Sequence, residues 1–384
     1  MQRLNSLLIH TFFLLLVVST SYSQGIKMWC GTSTDDQKAI MDEFVEHRDE
    51  IFQNTIRNGA VIYIPVKFHL IGDNNADDQV TPTHIYRQFC KINQDFEPYD
   101  IQFYMQGGII QALKYINDTR IHDDPNSPVS TNLLRNYQQG NSDAINIFVN
   151  NVVQKDDPGV LGRFYRNNDY IIIANGEVIS AKSSLSHEIG HFLGLSHTFY
   201  GWEATEYECT RPTPMTVFLG NFPVPVEYVS RTKNCFSAAD KLCDTPADYN
   251  LGLGYQGPCD YTGCAKDPDG VDLVPQTENM MGYFLNCLSV FSPQQVSIML
   301  SNYNSLQRSY LRLGYIPSLI EITDKPELLS PEDRSVTPYF DEVDLEWSDV
   351  AGAQGYIVSV DLAPNFSTGV FEAITMDTRL TVSG

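Results

Sequence analysis

The stretch His187-Glu188-Ile189-Gly190-His191-Phe192-Leu193-Gly194-Leu195-Ser196-His197 decides how the rest of the chain is read. On a helix, positions 187 and 191 lie one turn apart on one face, so two imidazoles can meet one ion while Glu188 projects beside them. Gly194 lets the chain leave that helix in a left-handed conformation that residues with side chains resist. His197 can then swing back as a third ligand. Three neutral ligands leave a fourth position for water, which favours a catalytic zinc over a structural one. An ion held by three imidazoles keeps its double charge and acidifies that water. Glu188 is placed to take the proton as general base and to deliver it to a leaving amine. With 8 histidines in 384 residues, an HExxH arises by chance in roughly one chain in a hundred, and with Gly and His at their further offsets in about one in 10⁵.

Working outward, residues 181–193 read as the helix that carries the motif, with Ser180 as a possible cap. Upstream, Val61 to Ile71 is a β-branched run whose Pro65 favours an edge strand or a bulge. Thr81 and Pro82 form an N-cap and N1 pair opening a helix to about Phe96. Further strands are expected at Ile101–Gln106, Ile145–Val152 and Tyr170–Ala174. Downstream, residues 194–292 are rich in Gly, Pro, Asp and Cys with weak periodicity, the texture of an irregular subdomain tied by crosslinks. Ser292-Pro293-Gln294-Gln295 has the form of a capping box and opens a helix to about Leu311. The fold class is therefore α+β: a twisted mixed sheet with a backing helix and a motif-bearing helix, then an irregular subdomain.

The two ends differ from this body. Arg3 precedes the apolar run Leu7 to Val18, which reads as a signal peptide over residues 1–23. The run falls short of the roughly 20 residues a membrane span needs, so export without a membrane anchor is expected. A polar stretch over 24–57 contains Met28-Trp29-Cys30-Gly31-Thr32, a short helix around Lys38 to Phe52, and the look of a pro-segment; Arg48 and Arg57 are candidate activation sites. The body then spans 58–316. Beyond it, Pro326, Pro331 and Pro338 punctuate a segment with the alternation of half-buried strands at Val343–Trp347 and Gly355–Val360. Leu345-Glu346-Trp347, Gly352 and Tyr356 resemble the first strands of a fibronectin type III or immunoglobulin-like domain, but 317–384 holds too few strands for a sandwich of about seven.

Formal net charge is −22, with 47 acidic against 25 basic residues, which argues against a nucleic-acid partner because phosphate would be repelled. Hydrophobic residues at 42% and aromatics at 11% exclude wholesale disorder. Export permits disulfides among the 8 cysteines. Six of them, from Cys209 to Cys287, can pair internally in 15 ways, while Cys90 reads as a buried helical thiol.

HExxHxxGxxH is the metzincin zinc motif, and Asn279-Met280-Met281-Gly282-Tyr283 resembles the Met-turn of that clan, making Met281 its methionine beneath the metal; an ordinary core methionine is the alternative. The chain more closely resembles the pappalysin family, through His187 to Phe199, Cys243-Asp244-Thr245-Pro246, and Asn279 to Cys287 followed by Phe291-Ser292-Pro293-Gln294-Gln295. The resemblance implies a zinc endopeptidase acting on proteins or peptides, with one catalytic zinc. It implies that Tyr283 stabilises the oxyanion, against the alternative of a core tyrosine. It gives Cys30 the role of a thiolate switch on the zinc, against the alternative of a disulfide, for example with Cys90. It also implies calcium near Asp244 and Thr245, alongside Asp240. The chain departs from arginine-preferring members in carrying Phe284-Leu285-Asn286 after Tyr283, without a carboxylate to pair with a guanidinium. Two rivals stand beside this reading: a secreted binding or adhesion protein with a silent protease-like domain, and a metalloenzyme acting on a non-peptide bond.

Overall fold

The computed structural model describes residues 29–54, 60–312, 322–336, 341–366 and 371–383. The signal-peptide reading of 1–23, Arg57, and the divisions at 57/58 and 316/317 fall outside the described residues.

A six-stranded sheet organises the body, in the order β2 (Ile101–Met105), β1 (Ile62–Gly72), β4 (Ile145–Asn150), β6 (Tyr170–Ala174), β5 (Gly162–Tyr165), with β3 (Leu113–Asn117) pairing the far half of β1. All pairings are parallel except that of β5 with β6, which makes the sheet mixed. Parallel strands buried on both faces read as near-continuous apolar runs, and Ile145–Asn150 is buried at every position. Alternation divides the core. Ile64, Val66, Phe68 and Leu70 of β1 join Ile147, Ile171 and Ile173 in one cluster that also takes Ile85, Ile92 and Phe96 and the apolar residues around the histidine motif. On the other face Ile71, Phe148 and Ile172 meet Leu134 in a second cluster.

Several expectations about strands and helices change. Pro65 lies in an interior strand, not at an edge. Its neighbour β4 begins to pair only at Val66, and Ile62 donates to Asp100 on the β2 side, so by alternation the missing N–H of Pro65 faces a place where no ladder has started. Ser180 closes a short helix, Asn175–Ile179, rather than opening the next; Ala181 follows at φ 46°, and the motif-bearing helix starts at Ser184. The N-terminal helix α1 is longer than expected, Thr34–Asn54.

The helix α2, Pro82–Phe96, runs as expected, with Thr81 Oγ1 accepting from His84 N–H. A helix α3 covers the second face at Pro128–Gln139. The motif helix is α4, Ser184–Phe192, and a capped helix α5 occupies Pro293–Asn304, ending before Leu311 where Ser305 turns extended. Between α4 and α5 the chain is irregular, with one hairpin, β7 (Thr216–Leu219) and β8 (Phe222–Pro225), and disulfides Cys209–Cys264, Cys235–Cys243 and Cys259–Cys287. Cys30 and Cys90 are both free, so they do not pair; Cys90 is exposed rather than buried, because it sits on the outer face of α2. Beyond the body, β9 (Leu328–Ser330), β10 (Glu342–Trp347) and β13 (Arg379–Ser383) form one antiparallel sheet, and β11 (Tyr356–Val360) with β12 (Phe371–Thr375) another. Glu372 of β12 accepts from the Thr83 N–H in the first turn of α2, a favourable place for a carboxylate.

Candidate active site

Helix α4 supplies His187, Glu188 and His191, all buried. Its exit is the αL turn expected at Gly194, which has φ +92° and whose N–H returns to His191 O at 3.0 Å; Leu195 N–H returns to Gly190 O at 3.0 Å. The turn brings His197 back over the helix, and the ring centroids of the three histidines stand 4.7 to 5.3 Å apart.

Each ring has its far nitrogen tied down. His187 Nδ1 meets Met280 O and His191 Nδ1 meets Leu195 O, both at 2.7 Å, and His197 Nδ1 faces Glu203 Oε1 at 3.4 Å. That leaves the three Nε2 atoms converging, and Cys30 Sγ joins them: one ligand atom from each of the four residues lies within 4.8 Å of the others. Zn–N bonds of about 2.0–2.1 Å at tetrahedral angles put nitrogens about 3.3 Å apart. His191 Nε2 and His197 Nε2 are 3.1 Å apart, and Cys30 Sγ is 3.5 Å from His191 Nε2. His187 Nε2 is buried with no hydrogen-bond partner. The donor set, its spacing and that orphaned nitrogen fit one tetrahedral zinc.

Electrostatics point the same way. Burial, reinforced by the other imidazoles for His187 and His191, holds His187 and His197 down at about 3 and His191 well below its ordinary value, so the rings are neutral bases facing one point. Burial pushes Glu188 up to about 8. The Cys30 thiol is raised by burial and then by Glu188.

Met281 is fully buried under α4, and its sulfur sits 2.5 Å from where a Cβ on residue 190 would be, so a side chain there would force Met281 to shift. Tyr283 accepts from Cys30 N–H at 3.2 Å through its hydroxyl, and its ring lies 5.1 Å from that of His197. The turn carrying them is held by Asn279, which receives Met281 N–H at 2.9 Å and exchanges hydrogen bonds with Gln295, the N3 residue of the α5 capping box. The sequence-expected residues His187, Glu188, His191, His197, Met281, Tyr283 and Cys30 therefore meet in one place.

Asp244 and Thr245 lie apart from it. Asp244 accepts from Ser292 Oγ at 2.8 Å and Gln294 N–H at 2.7 Å, capping α5, and Thr245 Oγ1 donates to Asp240. These bonds give both residues a structural use that needs no ion. Among the described residues no second group of three His, Cys, Asp or Glu ligands converges.

Beside these stand Thr32, from the stretch that carries Cys30, and two neighbours that carried no sequence signal. Thr32 Oγ1 donates to Glu188 Oε2 at 3.4 Å, fully buried Gln37 of α1 stands 3.4 Å from His191 Nε2, and Glu203 lies behind His197. A glutamine in a helix interior and a glutamate in a loop look like any other until the fold places them. Residues 29–32 also run along β5: Leu161 N–H donates to Trp29 O and Gly31 N–H to Gly162 O, both at 2.8 Å.

Among known proteins, residues 154–304 match the peptidase family model described as pregnancy-associated plasma protein-A. An extracellular metalloprotease of Colletotrichum graminicola is 24% identical over 266 residues, covering 64% of this chain and 77% of the relative. One from Neurospora crassa is 24% identical over 299 residues, 72% of this chain and 87% of that protein. Among solved structures, a mutant promirolysin of Tannerella forsythia aligns over 73% of this chain and 96% of its own, at 17% identity and a TM-score of 0.46. Over residues 154–304 the chain is thus similar to the pappalysin family of metallopeptidases, and that match together with the relatives supports a zinc metalloendopeptidase.

Proposed function

We propose that this chain is a secreted endopeptidase made in latent form, with zinc held by His187, His191 and His197, Glu188 as general base, and Cys30 closing the fourth position until residues 24–57 are removed. The observation that carries it is the convergence of Cys30 Sγ with the three histidines. When bound, zinc supplies Lewis acidity to the scissile carbonyl and acidity to the attacking water. Glu188, buried beside the three histidines, is placed to take a proton from the attacking water as a carboxylate and to return it to the leaving amine. Tyr283, whose hydroxyl serves Cys30 N–H in the latent form, is freed to donate to the developing oxyanion. The edge of β5 that pairs with residues 29–31 offers the same N–H and C=O groups to a substrate main chain.

Latency rests on more than the sulfur. Ile40, Met41, Phe44 and Ile51 of α1 are buried in the main core, and Arg48 donates to Phe236 O and Lys241 O. Arg48 therefore sits inside a docked helix, which makes it a poor first site of cleavage. Secretion is supported by the leader at residues 1–23 and by the relatives' naming as extracellular; among the described residues no helix is long and apolar enough to cross a membrane. The fibronectin-like reading of 317–384 draws support from five antiparallel strands and from Trp347, buried against Tyr356. Calcium near Asp244 and Thr245, alongside Asp240, draws its support from two carboxylates close to the Thr245 hydroxyl, which donates to Asp240.

The test is Glu188→Ala in the full chain, activated by limited proteolysis and profiled on a peptide library. Peptide cleavage should vanish while one zinc per chain remains. Cleavage at the wild-type rate would overturn the assignment.

A further inference from the structure

We propose that Glu203 is a positioning residue for the metal centre: its carboxylate fixes the tautomer and tilt of His197 and thereby strengthens zinc binding. The inference rests on the zinc reading above. It starts from an asymmetry among the three histidines. His187 and His191 stand on α4 and anchor Nδ1 on main-chain carbonyls at 2.7 Å, so helix and backbone orient them. His197 stands beyond the helix, in the turn after Gly194, and no main-chain carbonyl takes its Nδ1. The atom facing it is Glu203 Oε1, at 3.4 Å.

Glu203 is itself set by its surroundings. It is 5% exposed, and Oε2 receives Gly201 N–H at 2.7 Å. The segment between is a closed turn: Tyr200 N–H returns to His197 O at 3.2 Å and Trp202 N–H to Phe199 O at 2.9 Å. Trp202 stacks on Tyr249 at 4.8 Å, and Phe199 stacks on His197 at 4.5 Å. This is a rigid mount for one carboxylate and one imidazole.

Among the described residues the carboxylate has no cationic side chain beside it other than His197. A buried carboxylate without a cation is costly. An ion on the opposite nitrogen of His197 would supply the charge through the ring, and a carboxylate behind a ligating histidine raises its basicity.

The experiment uses the full chain, stripped of metal and titrated with zinc against a chromophoric chelator, for wild type, Glu203→Gln and Glu203→Ala. Glu203→Gln keeps shape and an acceptor for Gly201 N–H while removing the charge, so it remains informative if Glu203→Ala fails to fold. Zinc affinity should fall about 10- to 100-fold, the visible spectrum of the cobalt(II)-loaded protein should shift, and the metal-free variant should unfold at no lower temperature than wild type. Wild-type affinity with an unchanged cobalt spectrum in Glu203→Gln would overturn the inference. So would an equal loss of stability in the metal-free and zinc-loaded forms, which would mark a merely structural residue. Failure of the endopeptidase reading shows separately, as peptide cleavage that survives Glu188→Ala.

Discussion

If docking of α1 holds Cys30 at the histidines, loosening α1 far from the site should release activity in an uncut chain. Phe44 is the position of choice: it is 5% exposed, packs edge-to-face on Phe52 with centroids 6.0 Å apart, and lies beneath Arg48. Phe→Ala in a packed core costs about 3–5 kcal/mol. Taking about 3 kcal/mol for a helix at the rim of the core, and a tenfold change per 1.4 kcal/mol, the equilibrium for lifting α1 shifts by about 10²-fold. Turnover of a fluorogenic peptide by the uncut Phe44→Ala chain should rise toward that factor, saturating at the rate of the activated enzyme. A Glu188→Ala background subtracts contaminants, and electrophoresis confirms that the chain is intact. The neighbouring Val45, 46% exposed on the same helix, supplies the control, and Val45→Ala should leave turnover near wild type. A Phe44→Ala chain that loses about 3 kcal/mol in denaturant unfolding yet is no more active uncut than wild type would rule out α1 docking as the latch.

The same docking implies that a break between Asn54 and Ala60 leaves residues 29–54 bound, because their buried anchors all lie upstream of it. Nicked protein should therefore co-elute with the segment in native gel filtration and stay latent until a second cut falls within α1; immediate full activity would contradict this. Gly190→Ala trades a helix-propensity gain of up to about 1 kcal/mol against overpacking of Met281 by about 1–3 kcal/mol. Adding Met281→Ala should relieve the clash, and a double-mutant cycle in denaturant that comes out strictly additive would refute the contact. Glu227, buried and repelled by Asp240, has a folded pKa well above its unfolded one near 4.5. Its stability contribution is full below pH 4.5 and is lost as pH rises through the folded value. Glu227→Gln should therefore gain on wild type with increasing pH, by at most about 1.4 kcal/mol per unit. Parallel stability curves in calcium-free buffer would exclude the effect.

What could be read from the residues was whatever local spacing encodes. His187 and His191 share a face because they are four apart, Gly194 ends the helix because αL geometry selects it, and Thr81 and Ser292 cap helices by chemistry contained within four residues. Pairing across distance was not legible. The four residues of β5 and the five of β3 carry too little pattern to announce themselves, yet β5 is the edge along which Trp29 and Gly31 lie. One of 15 cysteine pairings was realised, and composition could not choose it. Pro65 misled because the edge rule concerns a missing N–H, and here that N–H points where β4 has not begun. Ser180 misled because one left-handed residue, Ala181, separates two helices that periodicity had fused. Gln37 and Glu203 reach the histidines from a helix and a loop, Thr32 reaches Glu188 from a strand-like arm, and only the fold brings those three together.

Three imidazole nitrogens and the Cys30 sulfur should hold one zinc in the uncut chain. X-ray absorption at the zinc edge of the full-length protein tests it most directly. The spectrum should show one zinc per chain, with three nitrogens at about 2.0–2.1 Å and one sulfur at about 2.3 Å, the sulfur shell disappearing in Cys30→Ser and after removal of residues 24–57. A sulfur-free shell in the uncut wild type, or a shell unchanged by His191→Ala, would contradict it.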